Sequence, residues 1–520
     1  MIRHSSQPEA MPNIGFLASL RALEQCDGDV DRAVERMQSK PVYEVAIIGS
    51  GPAGLVSAKT LLEEDISNIV VFEETSCAGG LWNREGGGTK KLDDSAKFEP
   101  RIKVPCIIQN EKTGEAAMEI PASVQPVYEN LTSNFPKDMT SFLGYPFAPE
   151  IENFPKAETV KNYYQNYAKN YDVDKVTKYH TRVVHCSKSA MRALWKIETL
   201  NVKTGERQHH LSRRLLVCNG HFRKAFAPYI SGMEHFQGRF MHSSAFSSAT
   251  NIKANETVLI VGGGISGADI AKTILDAGSA RVLMSVRNWK VPQDVLLPRL
   301  QKNKGMVIRP GVDYIDSDGN VHFYDLPTST SKKKLAQKYN AISSSVTVRP
   351  DVILFATGYR YHFPFFDDTK TFLTSNGFKM ENLYKRVLST SDNSLAFIGI
   401  TNVNFSPALS MEYQAKWFAI IVVKGNCRSL GPEEIEEEIN SRQHDKTQDA
   451  LALAFPSYCN SLAAEIGARG YWLQLLSYRL PLFIRTTWTR CGASKRRFVL
   501  LFGAVGVSFF CIGVSSLSKR

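Results

Sequence analysis

The residues best suited to chemistry fall in two glycine-rich runs of like spacing, Gly49-Ser50-Gly51-Pro52-Ala53-Gly54 and Gly262-Gly263-Gly264-Ile265-Ser266-Gly267. In such a run the first glycine permits a tight turn out of a strand. The second lets backbone N–H groups approach a pyrophosphate, and the third lets the next helix pack closely on the strand. The helix N-terminus adds positive potential for the phosphates. Beyond Gly54 stands an acid, Glu73. A carboxylate there accepts hydrogen bonds from ribose hydroxyls and repels a 2′-phosphate, so the first run suits FAD or NAD rather than NADP. The second run has Met284-Ser285-Val286-Arg287 at the corresponding place and no acid. Ser285 and Arg287 can bind a 2′-phosphate, since a guanidinium pairs with two phosphate oxygens at once. We read this site as one for NADPH, with Gly262, Gly264, Ser266, Gly267 and Asp269 as further contacts; the alternative for Arg287 is a solvated surface arginine.

The elements around these runs support the reading. Residues 42–48 form a short apolar run rich in β-branched side chains, the pattern of a buried parallel strand. A helix-like run follows to about Glu64, and a second strand, Ile69 to Phe72, ends at Glu73. The same order returns in strand Thr257 to Val261, a helix to Ala277, and strand Arg281 to Val286. The expected fold class is therefore α/β, with two Rossmann-like dinucleotide-binding domains, a small N-terminal helical segment and a C-terminal hydrophobic helix. The expected bounds are 1–40 for a helical segment, 41–250 for the first part of the FAD-binding domain and 251–350 for the NADPH-binding domain. The FAD-binding domain returns over 351–460, an extension covers 461–497 and a membrane anchor covers 498–518.

The 520 residues suffice for more than one core, and their formal charge is +12. The basic residues are scattered, and no zinc-finger, helix-turn-helix or RNP pattern occurs, so no nucleic-acid partner is expected. Nine cysteines at irregular spacing, with no Cys-x-x-Cys, argue for reduced thiols and against a disulfide oxidoreductase. No apolar run opens the chain, so no signal peptide is expected.

Between the two runs lies Phe236-Gln237-Gly238-Arg239-Phe240-Met241-His242-Ser243-Ser244-Ala245-Phe246. Gly79-Gly80-Leu81-Trp82, Asn130 to Lys137, Ala356-Thr357-Gly358-Tyr359, Leu395 to Gly399 and Glu412-Tyr413-Gln414 complete a series in fixed order. With these motifs the chain resembles the flavin-containing monooxygenases over residues 42–430. The resemblance implies a two-cofactor oxidoreductase in which NADPH reduces FAD, and O2 then oxygenates a soft small-molecule nucleophile, amine N or thioether S, through a flavin hydroperoxide. It implies FAD contacts from Gly49, Ser50, Gly51, Pro52, Ala53, Gly54, Glu73, Gly80, Leu81, Trp82 and Asn134, and an NADP contact from Ser133. Asn134 is the one catalytic candidate, its amide bonding the oxygenated flavin or the nicotinamide; the alternative is a turn-forming asparagine. His242 reads as structural, linking the two domains, and Tyr361, Phe363, Phe365 and Phe366 as packing. Ser247 follows Phe246 where Baeyer–Villiger enzymes carry Trp-Pro, which disfavours ketone oxidation. A dedicated N-hydroxylase or a Baeyer–Villiger-type oxygenase, and a UBA-type binding or scaffold protein with inactive Rossmann units, stay as alternatives.

The two ends differ from this pattern. Residues 1–40, with Gly15-Phe16, Ala22-Leu23 and Gly28 to Val34, resemble a ubiquitin-associated (UBA) domain, which would imply a ubiquitin contact bordered by Phe16 and Met37; a helical cap on the enzyme is the alternative. Residues 498–518 carry no charge and sit between Lys495-Arg496-Arg497 and Lys519-Arg520. Helical, that run is long enough to span a bilayer. The expectation is an anchor in the endoplasmic reticulum membrane with the catalytic part facing the cytosol; a buried helix or dimer contact is the alternative.

Overall fold

A computed structural model of the chain describes residues 41–83, 107–109, 116–118, 126–128, 130–188, 194–278, 280–287, 306–325, 347–400, 406–425, 432–441 and 450–467. The UBA-like segment, the stretch 84–106, residues 326–346 and the expected anchor at 498–518 lie outside the described residues. Among the described residues no helix is long and apolar enough to cross a membrane.

Strand β1 (Val42–Ile48) carries Val45, Ala46 and Ile47 with no exposure, as a strand covered on both faces must. Each such aliphatic side chain taken from water stabilises the fold by roughly 1.5–3 kcal/mol. Helix α1 (Pro52–Glu63) follows, opened by Pro52, whose fixed φ suits a first helical turn. Strand β2 (Ile69–Phe72) then lies parallel to β1, with Ile47 opposite Val71. Helix α2 (Ala157–Asn170) packs on the same face as α1 through Val160, Tyr164 and Tyr167. Strand β3 (Thr177–Lys178) extends the parallel edge. Three antiparallel strands, β4 (Thr181–Lys188), β5 (Trp195–Asn201) and β6 (Arg207–Val217), come next. The far half of β6 turns parallel to β1, with Leu216 opposite Ile47. The chain leaves this unit through a two-residue strand, β7 (Lys224–Ala225).

The second unit is a five-stranded, wholly parallel sheet of β8 (Arg239–His242), β9 (Thr257–Val261), β10 (Arg281–Ser285), β11 (Met306–Arg309) and β14 (Val352–Phe355), in the spatial order β8-β14-β9-β10-β11. Helix α3 (Ile265–Asp276) crosses from β9 to β10. A hairpin of β12 (Val312–Ile315) and β13 (Val321–Phe323) covers the other face. The chain returns through β15 (Tyr359–Arg360), antiparallel to β7, so two crossing strands join the units side by side. Strands β16 (Leu383–Tyr384), β17 (Leu388–Ser389) and β18 (Leu395–Phe397) then complete the first sheet, β18 lying parallel to β6. Helix α4 (Pro407–Trp417) closes over α1.

The two repeated βαβ units stand where the sequence reading expects them. The antiparallel strands β4–β6 and the hairpin β12–β13 were missed by that reading. Their half-exposed faces carry polar side chains, as in Arg207-Gln208-His209, and hide the apolar alternation. Tyr361, Phe363 and Phe365 are buried beneath the first sheet with Phe372 and Phe397, a packing role.

Candidate active site

The two glycine runs repeat one another atom for atom in role. Gly49 N–H donates to Phe72, the last residue of β2, at 2.8 Å, and Gly262 N–H donates to Ser285, the last residue of β10, at 3.0 Å. Both glycines adopt positive φ, +97° and +116°, which a side chain would strain. A Cβ on Gly54 would meet the Gly49 carbonyl oxygen at 1.8 Å, and one on Gly267 would meet that of Gly262 at 2.2 Å. Helix and strand therefore touch backbone to backbone in both units. Each unit is closed by a parallel strand followed by a like tripeptide, Cys218-Asn219-Gly220 after β6 in the first and Ala356-Thr357-Gly358 after β14 in the second. Sequence reading found the second tripeptide and missed the first; its signal was the final glycine, at φ +70° against +84° for Gly358.

Neither α1 nor α3 has a side-chain cap or an acid in its first turn. The first-turn N–H groups are thus left for an anion. Around the first run the backbone forms a closed cradle. Gly79 N–H donates to Ser50 O at 3.1 Å, and Gly80 crosses so near Gly51 that a Cβ on Gly80 would lie 2.7 Å from the Gly51 Cα. Asn83 is buried and its amide donates to Thr75 Oγ1 and the Cys77 carbonyl, holding the turn of Gly80, Leu81 and Trp82 in place. Glu73 is buried at the end of β2. Its Oε2 accepts from Ser50 N–H (2.8 Å) and Ser50 Oγ–H (2.9 Å), and its Oε1 from Thr75 N–H (2.9 Å). A carboxylate has about four acceptor positions, so one is left for a ribose hydroxyl. Pro52 and Ala53 sit in the first turn of α1, with Ala53 against Gly399.

The second run is open by contrast. Gly264, Ile265 and Ser266 are exposed, and a Cβ on Gly264 would meet nothing within 4 Å. Arg287 is exposed just beyond β10. Ser285 is buried: its hydroxyl donates to Pro310 O at 2.9 Å and accepts from Val312 N–H at 3.1 Å. It is thus turned into the fold and away from the place expected of a phosphate contact, fastening the turn after β11. The two cradles fit the phosphates of two dinucleotides, one enclosed and one accessible.

Segment 126–137 lies between the units. Tyr128 packs edge-on against Phe246 in the second core, 5.5 Å between ring centres, and its hydroxyl donates to the Asp269 carboxylate on α3. The other end is fixed to the first unit. Lys137 Nζ donates to the carbonyls of Ala148, Pro149 and Ile151, and the Ser406 hydroxyl donates to Met139 O. Glu412 on α4 accepts from Leu143 N–H at 2.8 Å. Asn134 stands exposed on this bridge. Ser133 is buried, its hydroxyl accepting from Phe135 N–H and donating to Phe135 O.

The Phe236–Phe246 motif is a joint. A Cβ on Gly238 would strike the Asp351 carbonyl at 2.4 Å. Ser244 N–H donates to His242 Nδ1 at 3.1 Å, so the proton sits on Nε2, which donates to Gly358 O at 3.1 Å. His242 therefore pins the strand end from which the linker β15 departs. Burial pushes its pKa down to about 4 and keeps the ring neutral. Gln414 serves similarly: its Oε1 accepts from Gly399 N–H at 3.0 Å at the end of β18.

The sequence profile of the flavin-binding monooxygenase-like (FMO-like) family matches residues 115–296 and 333–499, more than half of the chain. The chain belongs to this family. This flavin-binding monooxygenase-like protein is 27% identical over 386 residues to Flavin-containing monooxygenase FMO GS-OX1 of Arabidopsis thaliana, covering 73% of both chains. It is 26% identical over 518 residues to Dimethylaniline monooxygenase [N-oxide-forming] 2 of Rattus norvegicus, covering 88% of this chain and 89% of the relative. In fold it is similar to the S-allyl-L-cysteine S-oxygenase of Allium sativum, with a TM-score of 0.65 at 22% identity, over 89% of this chain and 98% of that one. The flavin-binding monooxygenase-like chain is thus an oxidoreductase, a monooxygenase with FAD and NADPH as its cofactors and O2 and a small molecule as its substrates.

Proposed function

We propose that the first unit holds FAD through Gly49–Gly54, Glu73 and the turn of Gly80, Leu81 and Trp82, and that the second binds NADPH through Gly262, Gly264, Ser266, Gly267 and Arg287. Oxygenation takes place beside Asn134. The observation that carries this reading is the bridge at 126–137, anchored on α3 by Tyr128 and on the first unit by Lys137. It ties the two units together and carries an exposed polar side chain, Asn134.

Bound FAD, reduced by NADPH, supplies the oxygen-activating chemistry. The chain's own residues bind, orient and exclude water. The closed first cradle suits a resident cofactor and the open second one a nucleotide that exchanges each turnover. The N–H groups of both helix ends offset phosphate charge. Arg287 takes the 2′-phosphate alone, because Ser285 is engaged elsewhere. The Asn134 amide offers a donor and an acceptor at the reacting centre, a contribution typically of a few kcal/mol. No proton need leave the substrate for oxygen transfer to an amine nitrogen or thioether sulfur. Two histidines fit that, since desolvation lowers both His221 and His242 to a pKa of about 4 and keeps them neutral near pH 7. The N-oxide-forming activity named for the rat relative supports amine nitrogen as one acceptor.

The test is NADPH consumption by purified, yellow protein against amines, thioethers and ketones, with peroxide measured alongside. N-oxide or S-oxide products in step with NADPH loss are expected; ester from ketones, or peroxide alone with every acceptor, would overturn the reading.

The charge-free run 498–518 between basic flanks supports membrane anchoring with the catalytic part facing the cytosol. Deleting 495–520 should release the protein from membranes, and unchanged sedimentation would refute it. The UBA-like spacing of residues 1–40 supports a ubiquitin contact, which a titration without chemical-shift change would remove.

A further inference from the structure

The turn after β11 brings three residues from separate elements to one point at the carboxyl edge of the second sheet. A Cβ on Gly311 would lie 3.2 Å from Tyr324 Cδ2 and 3.5 Å from Arg287 Cβ. Gly311, lacking a side chain, thus lets an aromatic ring and the stem of a guanidinium approach the same point. The arrangement is braced from below. Ser285 Oγ bonds both Pro310 O and Val312 N–H, which fixes the turn. Tyr324 N–H donates to Gly311 O at 2.9 Å, and Val312 pairs with Phe323 in the hairpin. Tyr324 is nevertheless 51% exposed. The other large exposed tyrosine of this hairpin, Tyr314, is covered by His322, with ring centres 4.2 Å apart and planes 7° from parallel. Among the described residues no ring covers Tyr324.

In an open parallel sheet a nucleotide lies outside the carboxyl ends of the strands, its nucleoside beyond the second strand of the βαβ unit. That strand is β10, which ends at Ser285, two residues before Arg287. A flat ring held by its backbone beside a cation suits a purine that carries a phosphate on its ribose. We infer that Tyr324 is the adenine-stacking residue of the second nucleotide site and that it works with Arg287 to select an adenosine 2′-phosphate. Ser285 is the positioning residue that fixes the turn between them. The inference rests on reading the second unit as the NADPH site, and its test separates the two.

The experiment is calorimetric binding of adenosine 2′,5′-bisphosphate and of 5′-AMP to the FAD-loaded holoenzyme, in which the first cradle is filled. Tyr324→Ala should weaken both probes alike, by about tenfold, the scale of one base–aromatic stack. Tyr324→Phe should leave both within about twofold of wild type, since the ring and not the hydroxyl makes the contact. Arg287→Ala should weaken only the bisphosphate. If Arg287→Ala discriminates while Tyr324→Ala binds both probes as wild type does, Tyr324 is a surface tyrosine and the inference falls alone. A Tyr324→Phe variant as weak as Tyr324→Ala overturns stacking. Wild-type holoenzyme that binds neither probe, or prefers neither, overturns the NADPH reading as well.

Discussion

The hydroxyl of Tyr128 donates to the carboxylate of Asp269, and this one bond ties the segment that bears Asn134 to the first helix of the second nucleotide unit. A hydrogen bond to a charged group contributes roughly 1.5–3 kcal/mol. Tyr128→Phe keeps the ring against Phe246 and removes only the donor. We expect a loss of about 1–2 kcal/mol in denaturant unfolding, and more peroxide released per NADPH consumed, as the bridge loses its fixed place. Unfolding curves and a peroxide assay on the same preparation check both parts.

Asn134 lies on the surface of that bridge and supports no described core. Asn134→Ala should therefore retain FAD and melting temperature while coupling falls by about two orders of magnitude, the scale of one positioned polar group. A variant that still directs all its NADPH into product would clear Asn134 of a role in oxygen transfer.

Two glycines of the second run should behave in opposite ways. A methyl on Gly264 meets nothing, so Gly264→Ala should fold as well as wild type yet bind NADP+ less tightly, because the methyl stands where a phosphate approaches. A methyl on Gly267 meets the Gly262 carbonyl at 2.2 Å, so Gly267→Ala should lose about 1–3 kcal/mol of stability, the usual cost of overpacking. Melting curves paired with NADP+ titration separate the two.

Arg287 and Ser285 also part company. Arg287→Ala should raise the KM for NADPH far more than that for NADH and leave stability unchanged, as the residue is exposed. Ser285→Ala removes a buried hydroxyl with two partners and should cost about 1–2 kcal/mol. Kinetics with both nucleotides, set beside denaturant unfolding, decide the matter.

His242 makes stability pH-dependent. Its pKa is about 4 in the fold, below the unfolded value near 6.5. The unfolded chain therefore binds the proton first, and stability present above about pH 6.5 declines as pH falls towards 4, by up to about 3 kcal/mol from this residue. His242→Gln, which retains a donor for Gly358 O, should flatten that part of the pH–stability curve. Parallel unfolding at pH 7 and pH 4.5 is the measurement.

Residue type and spacing alone determined the two βαβ units, their glycine turns and the acid at Glu73, because these depend on local backbone needs: a positive φ at Gly49 and Gly262, apolar strands, an uncapped helix end. They also set the order of motifs that marks the family. Tertiary structure alone decided what the side chains near each loop do. Ser285 looked like a phosphate ligand from its place in the chain, but the hairpin after β11 turns its hydroxyl inward. Tyr324 went unnoticed because Gly311 brings it beside Arg287 only when β10, β11 and the hairpin are folded together. The pairing of Tyr128 with Asp269 spans 141 residues of chain, and Cys218-Asn219-Gly220 became the twin of Ala356-Thr357-Gly358 only once both strands lay beside their glycine loops. Local geometry is written in neighbouring residues; a contact between distant ones depends on how whole elements pack, and no short spacing encodes it.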